Sequence, residues 1–244
     1  MVAPINRVLF PSYVKLADDP ERLRAGFVTT LGFIALLILP ICTGLAAAAD
    51  PLVRVALGEK WLDVIPLISL LAIAGAANVL QANTSAVYNA MRRPWLIALT
   101  GGIQSVLLIP MLLVAVSWSG LEGVAGALLL HGLLLALPIA FWIFFRHTPI
   151  RPRDVWLVCW RPVVACAVMY GVMVQFLNVA GTQVDFLHSL ALLIFTCLLG
   201  ALTYMAAGLG LWQAVGRPAG AESAVIAQAL TRWQRRFGSA APPT

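Results

Sequence analysis

The sequence predicts an all-α integral membrane protein with six transmembrane helices. Of its 244 residues, 61% are hydrophobic and only 11% are charged, whereas roughly a quarter of the residues are charged in an average soluble domain. Six separate stretches are also long and apolar enough to cross about 30 Å of hydrocarbon. A single segment that crosses lipid must be helical, because an isolated strand leaves its backbone polar groups without partners there.

The six predicted spans are separated by charged residues or by residues that form turns. They run from Ala25 to Ala49, Val64 to Ala90, Trp95 to Gly120 and Gly123 to Phe145, then between Pro162 and Val179 and over much of Phe186 to Trp212. A start of the fifth span one or two turns before Pro162 is compatible with its flanking residues. We expect a cytoplasmic segment with the end of a preceding helix and a short amphipathic helix (1–24), four helices (25–145), two additional helices (146–216) and a basic tail (217–244).

Two segments outside the spans carry helix signals. Asp19, Pro20 and Glu21 have the order of an N-cap, a first-turn proline and an acidic first turn, which predicts a short helix leading into the first span. In the tail, apolar residues recur at helical spacing and basic residues fall on other faces. The apolar positions are Ile226, Leu230, Trp233 and Phe237. This pattern indicates an interfacial amphipathic helix, and a frayed polar tail is the alternative.

Lys and Arg are distributed unevenly between alternate connections. Fourteen of the 16 precede the first span, lie in the second-to-third or fourth-to-fifth connection, or lie in the tail, whereas Arg54 and Lys60 lie in the first-to-second connection. Because basic residues near short loops are retained in the cytoplasm, we expect an even number of spans with both termini cytoplasmic. Tryptophans near the predicted helix ends fit an interfacial aromatic belt.

No arrangement of catalytic or metal-binding residues is recognisable. His131, His147 and His188 are widely separated, none of the four cysteines has CxxC spacing, and neither a glycine-rich phosphate loop nor an HExxH pattern occurs. We therefore expect a protein that is not an enzyme and that uses no cofactor and no metal. The basic residues lie between apolar segments, which argues against a nucleic-acid partner.

The second span carries one polar stripe. Asn78, Gln81, Ser85 and Asn89 fall at positions i, i+3, i+7 and i+11, which lie on one face of a helix. Amides are costly in hydrocarbon unless they are paired, so this face must meet other helices or a watery cavity. The stripe either lines a path for a polar substrate or joins helices by hydrogen bonds. Asn83 lies at the edge of the stripe and has less weight.

Three further residues are candidate substrate contacts. Gln104 follows two glycines in the third span, where close helix packing and ligand contact are both reasonable. His131 lies in the middle of the fourth span and either contacts substrate or pairs with a neighbouring helix. Arg161 is predicted at the start of the fifth span, as a boundary residue that snorkels or as an anion ligand.

Six short motifs follow one another between residues 8 and 145. They are Phe10-Pro11-Ser12, Asp18 to Arg24 (DDPERLR), Leu39 to Leu45 (LPICTGL), Leu57 to Trp61 (LGEKW), Asn89 to Pro94 (NAMRRP) and Gly120 to Ala127 (GLEGVAGA). In this order and spacing they resemble the Wzx-type oligosaccharide flippases of bacterial polysaccharide synthesis. The fourth motif is similar to the LG-x-x-W periplasmic turn of that family and the last to its G-x-x-G-V-A-x-A helix entry. The fifth resembles its x-A-x-G-R-P cytoplasmic turn, with Met91 where glycine is usual.

The resemblance implies a MATE-like fold, since this family belongs to the multidrug, oligosaccharide-lipid and polysaccharide exporter superfamily, with two lobes around a central cavity. The six helices look like the last six of a fourteen-helix member, so that the chain corresponds to its C-terminal portion. The implied function is translocation of a polyprenyl-diphosphate-linked oligosaccharide across the bacterial inner membrane, for lipopolysaccharide or exopolysaccharide synthesis. The partners would be membrane lipids, the missing N-terminal half, and a polysaccharide polymerase or glycosyltransferases.

The chemistry of that cargo suggests roles for the candidate residues. Arg92, Arg93 and Arg161 would contact the diphosphate, and the Asn78 stripe would contact the sugars. Two alternatives remain open: a non-transporting scaffold subunit of a polysaccharide assembly complex, and a drug or metabolite antiporter of the same superfamily. The antiporter would need an acidic residue within a span, and none of the six predicted spans has one well inside.

Overall fold

The computed structural model describes residues 19–181 and 186–214, and every regular element in these two segments is helical. Helices long and apolar enough to span a membrane are Pro20–Ala47, Glu59–Ala90, Trp95–His147, Pro152–Ala180 and Phe186–Ala214. A short helix, Ala49–Ala56, follows the first, and the 3₁₀ turn Glu59–Val64 precedes the helix Ile65–Ala90. We call Pro20–Ala47 the first span and Ile65–Ala90 the second.

The longest helical stretch, Trp95–His147, contains two spans. Its 53 residues would extend about 80 Å as a straight helix, far beyond the thickness of a bilayer. Ser119 and Gly120 have non-helical backbone angles, and Gly120 has a φ of 56°. Residues on either side of them meet in antiparallel order, since the rings of Trp95 and His147 are 5.8 Å apart. We therefore call 95–118 the third span and 121–147 the fourth. This hairpin confirms the two separate spans that the sequence predicts in this region.

Glycine is required at this reversal for two reasons. Gly120 has a positive φ, which a residue with a Cβ adopts only at a cost. Gly123 lies so close to the preceding helix that a Cβ there would overlap the backbone oxygen of Ala115. The two glycines thus allow the chain to turn back on itself over two residues.

A helix begins at Pro20, as the capping signals predict, and the first span therefore starts five residues before the predicted Ala25. The Asp19 carboxylate accepts hydrogen bonds from the backbone N–H of Glu21 at 3.0 Å and of Arg22 at 3.2 Å, which confirms the N-cap. The helix continues without a break to Ala47, so that the short helix predicted at Pro20 is the beginning of the span itself. The predictions for residues 1–18 and for the amphipathic tail lie outside the described residues.

The fifth span, Pro152–Ala180, begins ten residues before Pro162. Arg151 is its N-cap, and Asp154 accepts from the backbone N–H of Arg151 at 3.2 Å. The placement of Arg161 at a helix boundary was therefore wrong, because this residue lies inside the helix and is 8% exposed. The charges near the helix start had lowered the local hydropathy, but the proline and the acidic first turn are helix-starting signals that extend the element. The sixth span is Phe186–Ala214.

The first span lies at the centre of the described bundle. It packs against the second and the fifth spans, and the fifth in turn packs against the sixth. The second span contacts the third and fourth spans. The third and fourth spans thus form a helical hairpin that packs on the second span. The fifth and sixth spans form a helical pair on the opposite side of the first span.

Aromatic packing and one ion pair join these parts at the end of the bundle that contains the turns 91–94 and 148–151, which we call the basic end. The Phe144 ring lies 4.7 Å from Phe27 and 5.6 Å from Tyr88, between ring centroids. Arg24 binds Asp154 in a bidentate pair, with Nε 2.7 Å and Nη2 2.6 Å from the carboxylate oxygens. The pair connects the beginnings of the first and fifth spans.

The outer surface is apolar, as a lipid-facing surface must be. Large exposed side chains include Val106, Leu113, Leu134, Leu187 and Leu202. Five of the tryptophans at predicted helix ends are also exposed: Trp61, Trp95, Trp118, Trp142 and Trp156. This arrangement fits the expected interfacial belt.

Candidate functional site

Four of the nine sequence-predicted contact residues form one hydrogen-bonded network. Gln81 donates from Nε2 to Asn78 Oδ1 at 3.1 Å, and Gln104 donates from Nε2 to Gln81 Oε1 at 3.0 Å. Gln104 Nε2 also lies 3.0 Å from the carbonyl oxygen of Ala136, and His131 Nε2 lies 3.1 Å from the carbonyl oxygen of Gln104. The network, which we call the amide network, joins the second, third and fourth spans.

The bond between His131 and Gln104 fixes one ring proton. A backbone carbonyl can only accept, so Nε2 must carry the hydrogen in this contact. Gln104 therefore makes two kinds of hydrogen bond with the fourth span. Its side-chain N–H donates to the carbonyl oxygen of Ala136, and its backbone carbonyl oxygen accepts from His131.

The fourth span is locally widened where the network reaches it. His131–Ala136 forms a π-helical turn, and Pro138 follows within the next turn. In such a turn the backbone hydrogen bonds connect residues five apart, and proline has no N–H to donate. π-helical turns within α-helices often occur at functional sites. Here the turn presents Ala136 O to Gln104.

A cavity of about 330 Å³ opens beside the amide network. Its polar lining comes from Asn78, Gln104, Ser105 and His131, and small residues of the second, third and fourth spans complete the wall. Asn78 is exposed, whereas His131 is 7% exposed. The cavity therefore offers hydrogen-bonding groups without a charged side chain in its lining.

The remaining stripe residues lie nearer the basic end. Asn89 is exposed and Ser85 is half-buried, so that both lie on the open side of the second span. The sequence analysis gave too little weight to Asn83, which is 2% exposed and packs inside the bundle. The adjacent Thr84 is also buried and bonds to the Gln81 carbonyl at 2.7 Å. Asn83 is polar but lies off the stripe. This position was the signal in the sequence for a second polar face that is buried.

Arg92 and Arg93 form the turn between the second and third spans. Arg93 N–H bonds to Tyr88 O at 2.9 Å and Arg92 N–H to Asn89 O at 3.1 Å, the paired bonds of a Schellman motif. Arg92 has a φ of 57°, in the left-handed region that favours glycine. The position where glycine is expected is therefore Arg92, and its earlier assignment to Met91 was wrong, since Met91 has a φ of −76°.

Arg161 lies on the fifth span, which is not among the spans that carry the amide network. This residue is buried within the bundle. The structure therefore groups Asn78, Gln81, Gln104 and His131. It places Ser85, Asn89, Arg92 and Arg93 along the second span and the turn that follows it, and Arg161 on the fifth span.

A second, apolar cavity of about 620 Å³ lies among the first, fifth and sixth spans. Pro40, Met169, Met173 and Met205 contribute to its wall, together with Leu36 and other aliphatic residues. It is open along one side and almost without polar atoms. Its chemistry is that of a surface for a hydrocarbon chain.

Sequence comparison points to one class of proteins. Residues 1–66 match the family model described as "Polysaccharide biosynthesis protein". An "Uncharacterized membrane protein in cps region" of Klebsiella pneumoniae is 33% identical over 139 residues, covering 57% of this chain and 29% of that protein. The "Lipopolysaccharide biosynthesis protein WzxC" of Escherichia coli (strain K12) is 38% identical over 71 residues, covering 29% of this chain and 14% of WzxC.

The resemblance to Wzx-type polysaccharide biosynthesis proteins is confirmed.

A third relative has a similar level of identity. The "Teichuronic acid biosynthesis protein TuaB" of Bacillus subtilis (strain 168) is 34% identical over 77 residues, covering 32% of this chain and 16% of TuaB. The chain thus spans less than a third of the length of the curated relatives that it matches. The family-model match ends at residue 66, before all nine candidate contact residues.

Structural comparison shows the fold. A solved structure of "Lipid II flippase MurJ, inward closed conformation" matches with a TM-score of 0.60 and 17% identity, covering 86% of this chain and 43% of MurJ. At this identity the match concerns the fold alone. The Wzx-type similarity of the sequence and the MurJ-like fold together describe a multi-pass bacterial membrane protein with a MATE-like helical arrangement.

Proposed function

We propose that the chain forms the C-terminal part of a flippase that translocates a polyprenyl-diphosphate-linked oligosaccharide across the bacterial inner membrane. The product would serve lipopolysaccharide or exopolysaccharide synthesis. The single observation that carries the proposal is the amide network beside a cavity within the membrane-spanning bundle. The names of the relatives WzxC and TuaB, "Lipopolysaccharide biosynthesis protein" and "Teichuronic acid biosynthesis protein", support the choice of cargo class.

The residue types of the network suit sugars. Each carboxamide both donates and accepts hydrogen bonds, as a sugar hydroxyl does, and neutral groups do not attract an ion into the membrane. Asn78 is exposed beside the cavity while its Oδ1 accepts from Gln81. Its amide nitrogen is therefore placed to meet a ligand without dismantling the network.

The apolar cavity supports a cargo that is also a lipid. A polyprenyl chain needs hydrocarbon contact along its length, and the cavity among the first, fifth and sixth spans provides such a surface in the same bundle. A small polar metabolite would have no use for it. This observation favours the lipid-linked cargo over an antiporter for small polar metabolites.

In this proposal two lobes surround a central cavity, and the other lobe is formed by residues that the present chain does not include. Both termini face the cytoplasm, and a polysaccharide polymerase or glycosyltransferases act with the transporter. The protein catalyses no covalent step.

Transport should be measured in the source bacterium with chromosomal variants of the gene. We expect Asn78→Ala to reduce the appearance of lipid-linked oligosaccharide in the outer leaflet about fivefold, the effect of one lost neutral hydrogen bond of about 1 kcal/mol. Leaflet exposure is read with a membrane-impermeant glycosidase. Asn178→Ala is the matched control, because Asn178 is exposed on the fifth span and is not part of the cavity lining.

Unchanged transport in Asn78→Ala and Gln81→Leu, at wild-type protein abundance, would contradict the proposal. The scaffold alternative predicts a different result. A deletion of the gene would then reduce polysaccharide output and leave the distribution of the lipid-linked sugar between the leaflets unchanged.

A further inference from the structure

Arg92 occupies a backbone position that favours glycine. As the residue after the C-cap Met91, it takes the left-handed conformation, with a φ of 57°. A residue with a Cβ pays roughly 1–2 kcal/mol there, and glycine is the usual occupant of this position in a Schellman motif. Among the described residues, Arg92 is the only one other than glycine with a positive φ.

Helix capping does not explain an arginine at this position. A cation near the end of the second span stabilises the helix dipole, but Arg93 already provides one in an unstrained position. Strained backbone persists where the side chain has another use. The guanidinium of Arg92 is therefore the feature that needs an explanation.

The surroundings of Arg92 favour an anion. The ion pairs found among residues 19–181 and 186–214 involve Arg22, Arg24 and Arg54, so that within this part of the chain neither Arg92 nor Arg93 has a carboxylate partner. Both residues are exposed. Arg93 is held in place by a 3.4 Å hydrogen bond from Nη1 to the carbonyl oxygen of His147.

The start of the third span adds to this positive field. Its N-cap is Pro94, and no side chain caps it. The amino end of a helix carries a partial positive charge, and this helix begins at Trp95, three residues after Arg92. The N–H groups of Leu96 and Ile97 already bond to the carbonyl oxygens of Arg93 and Pro94, so that the helix start adds its dipole, rather than these N–H donors, to the positive field of the two guanidinium groups.

We propose that the Arg92–Arg93 turn binds the phosphate group of a membrane lipid, through guanidinium contacts from both arginines. Phosphate is the anion whose oxygens match the planar donor fork of arginine. The lipid is either a bulk phosphodiester lipid of this leaflet or a polyprenyl diphosphate. For a polyprenyl diphosphate this inference rests on the proposed function, whereas binding of a bulk phosphodiester lipid goes beyond it.

The test measures both the unfolding temperature and lipid binding, because a substitution of Arg92 should raise the first and weaken the second. Arg92→Gly relieves the strained backbone and removes one guanidinium, so that the purified protein should unfold at a higher temperature and bind the lipid about tenfold more weakly, as expected for a lost charge-assisted contact. Arg92→Asn, which tolerates the left-handed conformation, should show the same loss of binding. The binding is measured by titrating phosphatidylglycerol, or undecaprenyl diphosphate, into the full-length protein in neutral-lipid nanodiscs.

Arg146→Gln is the matched control. It removes the same charge from an exposed residue near the same end of the bundle, whose guanidinium lies 5.6 Å from the Trp142 ring centroid, and it should leave lipid binding within twofold of the wild type. Equal weakening by Arg146→Gln and Arg92→Asn would overturn the proposal in favour of general charge attraction, and so would unchanged binding in Arg92→Gly. Weakened binding of undecaprenyl diphosphate alone would support a cargo site, and weakened binding of both lipids would support a site for bulk lipid.

Discussion

At the scale of single residues, Gln104 connects more of the bundle than any other polar side chain in the network. Its amide nitrogen contacts Gln81 on the second span and Ala136 on the fourth, and its backbone carbonyl accepts from His131. In lipid, water cannot replace these partners. Gln104 therefore has a structural role whether or not it also meets substrate.

We expect Gln104→Leu to lower the free energy of unfolding by about 1 kcal/mol, since interhelical hydrogen bonds in membranes contribute about 0.6–1.7 kcal/mol. The measurement is SDS-induced unfolding of the purified protein in mixed micelles. Gln175→Leu is the control, because Gln175 is exposed on the fifth span, and this change should be neutral or stabilising. Equal stability of the two variants would show that the network contributes nothing to folding.

At the scale of elements, the reversal between the third and fourth spans depends on local geometry. Both helices are largely apolar, and the sequence separates them only by the short segment that contains Gly120, Glu122 and Gly123. The positive φ of Gly120 and the close approach at Gly123 provide the separation. The glycine positions were visible in the sequence, but the overlap between position 123 and Ala115 was not.

Gly123→Ala should destabilise the protein by about 1–3 kcal/mol, because the new methyl group meets a backbone atom that cannot move independently. Gly126→Ala is the matched control in the same helix, where a Cβ meets nothing within 4 Å. It should be neutral or slightly stabilising, as alanine is the better helix former. Thermal unfolding followed by tryptophan fluorescence checks both, and a loss in Gly126→Ala as large as that in Gly123→Ala would contradict the close approach.

At the scale of the whole molecule, the basic end collects the charged groups of several helices. The turns 91–94 and 148–151 lie there, together with the Arg24–Asp154 pair. The opposite end has the turn at Ser119 and Gly120, which carries no Lys or Arg. This asymmetry favours a cytoplasmic basic end.

We expect a cysteine at Pro149 to react with a membrane-impermeant maleimide only after the cells are opened, and a cysteine at Ser119 to react in intact cells. The background is a variant whose four native cysteines are replaced by alanine. Denatured samples of both variants provide the control for complete labelling. The reverse pattern of labelling would place the basic end outside the cell and contradict the predicted topology.

Sequence analysis alone was sufficient to predict the fold class, the six apolar spans, the N-cap at Asp19 and the polar stripe, because each depends on local composition or on helical periodicity. Sequence analysis misplaced the start of the fifth span, because charged residues obscured it. It also misplaced the glycine-favouring position of the turn after the second span, because an arginine occupies that position.

The packing of the helices brings Gln104 and His131 to the Asn78 stripe, buries Asn83 and places Arg161 inside the bundle on the fifth span. These facts depend on which helix faces meet. An apolar helix has a similar surface in every direction, so that hydropathy does not specify which helices become neighbours. Small residues, a π-helical turn and a few hydrogen bonds specify them instead.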